Sequence, residues 1–498
     1  MNKREAGILL PITALPSPYG IGCLSAEAYR FVDLLAEAGQ RDWQILPMGP
    51  TGYGDSPYQS CSAFAGNPYW IDLQGLIREG LLTEEECRAC DWGADAGRVD
   101  YGRIYVHRYG LLRRAFGRRG GATEADRAFR EEQGAWLEDY ALFMAYKDAV
   151  GGLPLQRWEE PMRMRREAAL AEARERLREE IDFHVFLQAR FFAEWRRLRD
   201  YANGRGIRIM GDLPIYVAAD SADLWCHPEL FQLDETRSPV AVAGCPPDDF
   251  SETGQLWGNP LYDWEAHGAD GYGWWIRRLR HAFECYDAVR IDHFRGFDEY
   301  YAVDAHARNA AEGRWERGPG MDLFSAVERA LGKRDILAED LGLMTDTVRA
   351  LVRESGFDGM KVLQMGLNEL TLGFDSEHLP HAYPQACVAY TGTHDNPTLM
   401  QWLGSLSAEK EARLRAYLCD RCTPKDALCE SLIGLVMRSA ARRCIIPLQD
   451  YLEIGEQGCM NRPSTQGENW QWRARSSELN DALRQKIRRL TAIGGRLR

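Results

Sequence analysis

Three carboxylates in the second half of the chain each follow a short apolar run. Asp292 ends DAVRID (287–292), Glu339 lies in DILAED (335–340), and Asp395 follows CVAYTGTH (387–394). Such runs are typical of buried strands, where an unpaired charge is costly. Parallel strands would deliver the three acids to one rim. Three carboxylates at one rim predict a site that cleaves or transfers a glycosidic bond, with one carboxylate as nucleophile and another as proton donor.

Asp292 has an arginine two residues before it. In AVRIDHFRG, Arg290 and Asp292 lie on the same side of a strand. A neighbouring guanidinium lowers the pKa of a carboxylate and keeps it ionised, as a nucleophile requires. The alternative is a structural Arg–Asp pair at a barrel rim, and the spacing alone favours neither.

Glu339 follows the apolar residues Ile336, Leu337 and Ala338. Apolar surroundings raise the pKa of a carboxyl group, so that it keeps its proton near neutral pH and acts as general acid. Asp340 is adjacent, and successive strand residues face opposite ways. Only one of the two acids therefore points into the barrel mouth, and the sequence leaves open which.

Asp395 lies between His394 and Asn396 in TGTHDNP. This polar cluster suits sugar hydroxyls and positive charge developing on the ring. Asp, Asn and Pro also favour helix N-caps and turns, which is the alternative interpretation. The two acids that end other strands favour the functional role.

The chain alternates strands with helices in a way that predicts an α/β fold, a (β/α)8 barrel. Strands are expected at 7–12, 43–48, 207–217, 287–292, 335–340, 360–365, 387–392 and 444–450. Helices are expected at 26–39, 165–202, 274–286, 322–332 and 345–356. We expect one catalytic domain over 1–498. A mostly helical insertion follows the second strand at about 75–195, and a loop-rich active-site cover follows the third at 218–273.

The composition narrows the function classes. The chain has 498 residues and a formal net charge of −13 without a basic tail, which argues against nucleic acid or membrane partners and fits a neutral substrate. Thirteen cysteines, no signal-peptide core and no apolar run of 18 residues predict reduced thiols in the cytoplasm. We expect the C-x-x-C pairs Cys87/Cys90 and Cys419/Cys422 to be incidental, with a joint zinc site as the alternative. No calcium loop or tight ligand cluster is evident, so we expect no metal or cofactor.

Motifs distributed along the whole chain resemble one enzyme family. They are PSPYGIG (16–22), GDSPYQSCSAFAGNPYWIDL (54–73), GDLPIYVAADSADLW (211–225), GCPPDDFSETGQLWGNPLYDW (244–264), AVRIDHFRGF (288–297), LAEDLG (337–342), TGTHDNPT (391–398) and NWQWR (469–473). Together they resemble the 4-α-glucanotransferases of the amylomaltase type, glycoside hydrolase family 77, which are relatives of the α-amylase-like retaining glycosidases. The SPYQSCSAFAGNP and GQLWGNPLYDW segments are specific to the amylomaltase branch.

The resemblance implies a role for each matching residue. Asp292 matches the nucleophile, Glu339 the general acid/base and Asp395 the transition-state stabiliser. The implied contacts to the sugar at the cleavage point are Ser56, Tyr58, Asp212, Arg290, His293 and His394. The implied contacts from the cover are Gln255, Trp257 and, more weakly, Phe250. The implied contacts to glucan farther from the cleavage point are Tyr53 and Tyr101, which are also weaker.

Two positions depart from the family pattern. Asn368 stands where an acid is expected after KVLQ, and Ala382 stands where Asn is expected, beside a retained His381. The three carboxylates are unaffected, so these departures bear on product length and not on the chemistry.

The resemblance implies transfer of a 1,4-α-glucan segment to the 4-hydroxyl of an acceptor, with maltooligosaccharides and α-1,4-glucans as partners. Retention predicts a separation of ~5–5.5 Å between the carboxylates of Asp292 and Glu339. A transferase must also exclude water, and 244–264 is the expected cover, with Phe250 and Trp257 as sugar contacts or simply as rings that hold the loop together. A hydrolase or branching enzyme of the same superfamily and an inactive glucan-binding protein are the alternatives. Oligomeric state, donor length and cyclic products stay open.

Overall fold

The computed structural model describes residues 4–52, 54–247, 252–369, 373–465 and 467–497. Twelve strands occur in these ranges. They are β1 (Glu5–Leu9), β2 (Asp42–Gln44), β3 (Arg208–Leu213), β4 (Ala241–Cys245), β5 (Gln255–Pro260), β6 (Ala288–Ile291), β7 (Glu299–Asp304), β8 (Gly313–Arg317), β9 (Ile336–Ala338), β10 (Gly359–Val362), β11 (Cys387–Tyr390) and β12 (Arg443–Pro447).

Eight of these strands form one parallel sheet in the order β10-β11-β12-β1-β2-β3-β6-β9. The outer strands approach each other, because Leu337 bridges to Asp358 and the Ala338 N–H donates to the Asp358 carbonyl at 2.9 Å. The sheet is thus a nearly closed barrel, and the predicted (β/α)8 fold is confirmed. The strands that were expected to reach residues 365 and 450 end earlier, at Val362 and Pro447, because short helices begin immediately after them.

The helices surround this barrel. They are α1 (Ala26–Glu37), α2 (Leu73–Arg78), α3 (Glu84–Arg88), α4 (Tyr101–Arg118), α5 (Glu124–Gln133), α6 (Leu137–Ala149), α7 (Glu160–Arg163), α8 (Glu167–Arg176), α9 (Arg178–Gly204), α10 (Ala222–Cys226), α11 (Trp264–Ala269), α12 (Gly273–Cys285), α13 (Met321–Leu331), α14 (Asp346–Ser355), α15 (Leu363–Asn368), α16 (Leu399–Ser405), α17 (Ala408–Leu418), α18 (Leu428–Arg438), α19 (Leu448–Tyr451) and α20 (Asp481–Ile493). No helix in the described ranges is both long and apolar enough to cross a membrane.

Helices α2 to α9 lie between β2 and β3, as the sequence predicts for a helical insertion. The continuous helix expected at 165–202 is instead two helices, because Leu177 leaves the helical conformation between α8 and α9. Side chains from α4, α6 and α9 belong to the same buried core as the barrel strands. The proposed subdomain limits, 75–195 and 218–273, stay a prediction.

A second, antiparallel sheet has the order β5-β4-β7-β8. Strands β4 and β5 lie within 218–273, the segment that is predicted from the sequence to be loop-rich, and β7 and β8 follow β6. The pairing of β4 with β5 shifts register between Val242 and Gly244. Glycines and an interrupted register weaken the alternating pattern by which strands are recognised, which is why these strands are not evident from the sequence.

Strand register brings the polar residues together. Asp212 in β3 pairs with Arg290 in β6, and Ile291 pairs with Ala338 in β9. The residues that follow these last two, Asp292 and Glu339, are therefore neighbours at the carboxyl ends of adjacent strands. This end of a barrel is where active sites are built.

Candidate active site

The floor of the cleft is a buried ion pair. Arg290 donates from Nη1 to both oxygens of Asp212, at 2.8 and 2.7 Å, and neither side chain is more than 3% exposed. Asp212 can lie there because Gly211 has no Cβ, whose place would be 2.2 Å from the Tyr286 ring. A buried guanidinium held on one side keeps its other nitrogen in a fixed position.

That second nitrogen of Arg290 reaches two of the candidate catalytic acids. Nη2 lies 3.1 Å from Oδ1 of Asp292 and 3.8 Å from Oε2 of Glu339. Sharing one nitrogen limits these two oxygens to a separation of about 7 Å, which fits the ~5–5.5 Å of retaining enzymes and excludes ~9 Å for this oxygen pair. Arg290 is thus more than a structural partner of Asp292, because one guanidinium orients three carboxylates.

The structure decides between Glu339 and Asp340. Oε2 of Glu339 accepts the His293 backbone N–H at 2.5 Å, which places the carboxyl group in the cleft. Oδ1 of Asp340 accepts the Met360 N–H at 2.6 Å, on the side of β10. Glu339 is therefore the candidate acid, and Asp340 supports the barrel wall.

Asp395 lies close enough to Asp292 and Glu339 for its charge to raise their pKa values, and other residues form the turn and the helix cap. Asn396 accepts from the Thr393 N–H at 2.8 Å, and Thr398 caps α16. This leaves the carboxylate of Asp395 to His394, whose Nε2 lies 3.2 Å away, and to Asn461, whose amide donates at 2.6 Å. The alternative interpretation of THDNP as a turn or cap thus describes the neighbours of Asp395, not Asp395 itself.

Burial is the largest influence on the pKa values of Asp292 and Glu339. It raises the pKa of Glu339 to about 8, because Arg290 offsets only part of the burial and the charge of Asp292 adds to the rise. Burial also raises the pKa of Asp292 to about 6 despite the opposing attraction of Arg290. The expectation that Arg290 would hold the pKa of Asp292 low is therefore wrong for the net shift.

Asp395 behaves differently. Burial acts to raise its pKa, but His394 and the hydrogen bond from Asn461 outweigh burial and bring the pKa to about 2. Near neutral pH, Asp395 and Asp292 are therefore ionised while Glu339 is protonated. This is the distribution that nucleophile, stabiliser and proton donor require.

Tyr58 connects two sides of the floor. Its hydroxyl donates to Asp212 at 2.7 Å and lies 2.8 Å from Nε2 of His394. The Tyr58 ring stacks on the His394 ring with centroids 5.4 Å apart, and Trp470 packs on both rings. Ser56 accepts the Tyr58 N–H at 3.2 Å and so positions this segment.

His293 and Trp257 form a wall on the side of the antiparallel sheet. Their rings meet edge to face with centroids 4.8 Å apart. His293 adopts a left-handed backbone conformation with φ of 48°, which turns the chain immediately after Asp292. Burial lowers the pKa of His293 to about 4, so the ring is neutral and available as a hydrogen-bonding partner.

The two branch-specific motifs contact each other directly. Gln59 of SPYQS donates to the side chain of Asn259 in GQLWGNP at 3.0 Å and to the Trp257 carbonyl at 3.4 Å. Asn259 in turn donates to the Val217 carbonyl at 2.9 Å, and Gln255 accepts from the Trp257 indole at 3.2 Å. The cover strand β5 is thereby fixed to the segment that carries Tyr58.

The other residues singled out in the sequence are buried, lie outside the described ranges or contact side chains of other segments. Tyr101 is buried and its hydroxyl donates to the Trp470 carbonyl at 3.1 Å, so its contact with glucan stays a prediction. Tyr53 and Phe250 lie outside the described residues. Asn368 accepts from the Trp402 indole at 2.8 Å, and His381, beside Ala382, lies 3.0 Å from the Tyr417 hydroxyl.

Asn461 and Trp470 are site residues that the sequence does not reveal. Both lie in the segment after β12, far in sequence from the residues that they contact. Asn461 bonds Asp395 and donates its N–H to the His394 carbonyl at 3.1 Å, and Trp470 packs on the rings of Tyr58 and His394. The only signal for Trp470 is NWQWR (469–473), which the family resemblance contains without assigning a role, and none of the quoted motifs contains Asn461. In the part of the chain that the structure describes, no three His, Cys, Asp or Glu side chains are grouped to hold a metal ion.

Comparisons with known proteins identify the family of the chain. A family model described as 4-alpha-glucanotransferase, glycoside hydrolase family 77, matches residues 10–479. A 4-alpha-glucanotransferase of Thermus thermophilus is 47% identical over 504 residues, and the alignment covers 99% of this chain and 99% of the relative. A 4-alpha-glucanotransferase of Streptococcus pneumoniae is 45% identical over 502 residues, and the alignment covers 100% of this chain and 98% of the relative. The amylomaltase from Streptococcus agalactiae in complex with acarbose has a TM-score of 0.96 at 39% identity, with full coverage of both chains.

Proposed function

This chain belongs to the 4-alpha-glucanotransferase family, and from that premise we propose how its cleft performs the transfer. The substrate is a 1,4-α-glucan, one segment of which passes to the 4-hydroxyl of an acceptor glucose or glucan. The observation that supports the assignment of roles is the position of Asp292 and Glu339 around one nitrogen of Arg290. We also propose a cytoplasmic location, on the evidence of the free cysteines.

In the first step, the ionised carboxylate of Asp292 attacks the anomeric carbon of the glucan. Glu339 gives its proton to the glycosidic oxygen, the bond to the leaving segment breaks, and a covalent glycosyl–enzyme ester forms. Asp395, kept ionised by His394 and Asn461, stabilises the positive charge that develops on the ring.

In the second step, Glu339 acts as a base. Its carboxylate takes the proton of the acceptor 4-hydroxyl, whose oxygen attacks the anomeric carbon, and the ester bond to Asp292 breaks. Two displacements at one carbon retain its configuration. Glu339 ends the cycle protonated, as it began.

The preference for a sugar acceptor over water requires a covered cleft. We assign this cover to β5, whose Trp257 packs against His293 next to the nucleophile. A glucan hydrolase would use the same three acids, so this wall is the feature that favours transfer over hydrolysis in this site. The preference for the 4-hydroxyl over the 6-hydroxyl of a branching enzyme rests on the family.

Incubation with maltotriose tests the function. Wild type is expected to form glucose together with chains longer than maltotriose, whereas a hydrolase forms only shorter products. Asp292→Asn should lose at least about 10³-fold in rate, because it removes the nucleophile. Asp340→Asn is the matched control, since Asp340 is an acid outside the cleft whose asparagine replacement still accepts the Met360 N–H. Equal turnover of wild type and Asp292→Asn would remove Asp292 from the mechanism.

A further inference from the structure

A cavity of about 250 Å³ lies away from the three catalytic acids, between the α5–α6 turn, α10 and α12. Phe64, Trp136 and Trp274 supply ring surfaces, with Phe64 and Trp136 nearly parallel at 16° and Trp274 edge-on to Phe64 at 90°. The volume is below the ~300–1,000 Å³ of sites for drug-sized ligands. Its size suits a ligand of one small ring.

The polar groups in the wall restrict the chemistry of such a ligand. Four carboxylates line the cavity, those of Glu132, Asp139, Asp223 and Glu284, which disfavours an anion. Arg277 and Arg280, one helical turn apart, also line it and have no ion-pair partner in the described part of the chain. Acceptors and donors beside aromatic rings fit a neutral polyhydroxylated ring, since carboxylates and guanidinium groups bond its hydroxyls while its C–H face packs on a ring.

One buried acid has capacity for such a hydroxyl. Oδ2 of Asp223 accepts the Ala63 N–H at 2.7 Å, and its other oxygen accepts no hydrogen bond from a different residue within the described ranges. Asp223 is only 5% exposed. A buried carboxylate on a cavity wall gains from a ligand hydroxyl, because the backbone N–H groups of Ala63 and of Asp223 itself do not use its whole capacity to accept hydrogen bonds.

The cavity shares wall residues with a cavity at the catalytic floor. Ser62, Phe64 and His281 line both it and a second, smaller cavity that is also lined by Tyr58 and Asp212. His281 donates from Nε2 to the Phe64 carbonyl at 2.8 Å, and Asp223 holds the neighbouring peptide at Ala63. A ligand that engages Asp223 or His281 therefore acts on the segment that carries Tyr58.

We propose that the cavity formed by Phe64, Trp136, Asp223 and His281 is a binding site for a single glucose unit, separate from the catalytic cleft. The choice of glucose among polyhydroxylated rings rests on the proposed function, because glucose is the small product of maltotriose disproportionation. Occupancy of this site would let accumulated product influence the position of Tyr58.

Ligand-observed NMR with glucose tests this site while saturating acarbose occupies the cleft. Wild type is expected to show glucose binding that remains after acarbose is added. Ala135→Trp fills the mouth of the cavity from an exposed turn and should weaken that binding at least about tenfold. Ala125→Trp, at an exposed position on α5 that does not line the cavity, is the matched control and should bind as wild type does.

Asp223→Asn is a second variant, in which the amide oxygen still accepts the Ala63 N–H. It should weaken glucose binding without changing the thermal midpoint by more than a few degrees. Loss of all glucose binding when acarbose is present, or equal binding by Ala135→Trp and Ala125→Trp, would overturn the proposal. The maltotriose assay on wild type tests the proposed function independently, because a failure there leaves the binding result unchanged.

Discussion

At the scale of single residues, the three cleft acids differ in their surroundings and therefore in their protonation. Asp395 lies beside the His394 ring and accepts a hydrogen bond from Asn461, Asp292 shares a guanidinium, and Glu339 combines burial with repulsion from Asp292. Local environments that separate the pKa values of nearby carboxyl groups assign them different chemical roles.

The pH dependence of kcat/KM for maltotriose should be bell-shaped. In the proposed mechanism Asp292 must be ionised, so activity should fall as the pH drops below about 6, the raised pKa of this carboxyl group. The proposed mechanism also needs Glu339 protonated, so activity should fall as the pH rises above about 8. Circular dichroism over the same range separates these limbs from unfolding. A profile that is flat from pH 5 to pH 9 would contradict the assignment.

Asn461→Ala should lower kcat by about tenfold. One hydrogen bond to a charged group contributes ~1.5 kcal/mol, and losing that amount of transition-state stabilisation slows a reaction about tenfold. The variant removes the amide that donates to Asp395 and helps to hold its pKa low. Asn469→Ala is the control, because Asn469 bonds Arg462 and Thr465 in the same segment without contacting Asp395. Similar kcat values for both variants would show that the loop, not the contact with Asp395, matters.

At the scale of elements, β5 positions residues on its two faces for different purposes. Trp257 faces His293 and the cleft, whereas Leu256, on the opposite face, is 40% exposed. The hydrogen bonds from Gln59 to Asn259 and to the Trp257 carbonyl fix this strand to the segment of Tyr58. Hydrogen bonds therefore join β5, the proposed cover, to the segment at the floor of the cleft that carries Tyr58.

Trp257→Ala should raise the ratio of hydrolysis to transfer several-fold. The substitution opens the wall beside His293 and admits water to the glycosyl–enzyme. Counting reducing ends against free glucose from maltotriose measures the ratio. Leu256→Ala on the opposite face is the control and should leave the ratio as in wild type. An unchanged ratio in Trp257→Ala would eliminate the tryptophan as a water barrier.

At the scale of the whole molecule, the end of the chain closes the base of the barrel. Arg496 is buried and its guanidinium donates to five backbone carbonyls, those of Glu5, Met437, Ser439, Ala441 and Arg442. These carbonyls belong to β1, the end of α18 and the connection into β12. One side chain thus joins β1 to the connection that leads into β12, the last strand of the barrel.

Arg496→Ala should lower the free energy of unfolding by at least about 3 kcal/mol, because it leaves several buried carbonyls without donors. Urea denaturation followed by circular dichroism measures the change. Arg488→Ala is the control, since this side chain is exposed and donates to the Glu37 carbonyl at the surface, and its loss should cost about 0.5 kcal/mol or less. A loss for Arg496→Ala no larger than that of the control would contradict the role of the buried cluster.

Much of this architecture follows from the sequence alone. Eight apolar runs predict the eight barrel strands, and the acids at the ends of three runs predict the cleft, because strand periodicity and the cost of buried charge are local properties. The strands of the antiparallel sheet are not predicted, since short runs interrupted by glycine carry little periodicity. The motifs predict the family, and the comparisons confirm it.

Only the tertiary structure decides the questions that depend on distant residues. Register between β6 and β9 selects Glu339 over Asp340, and Asn461, 66 residues away in sequence, orients Asp395. Burial by the whole barrel, not the neighbouring Arg290, determines the direction in which the pKa of Asp292 shifts. The physical reason is that the sequence specifies the type of each side chain position by position, whereas the protonation state and orientation of that side chain depend on which other segments fold against it.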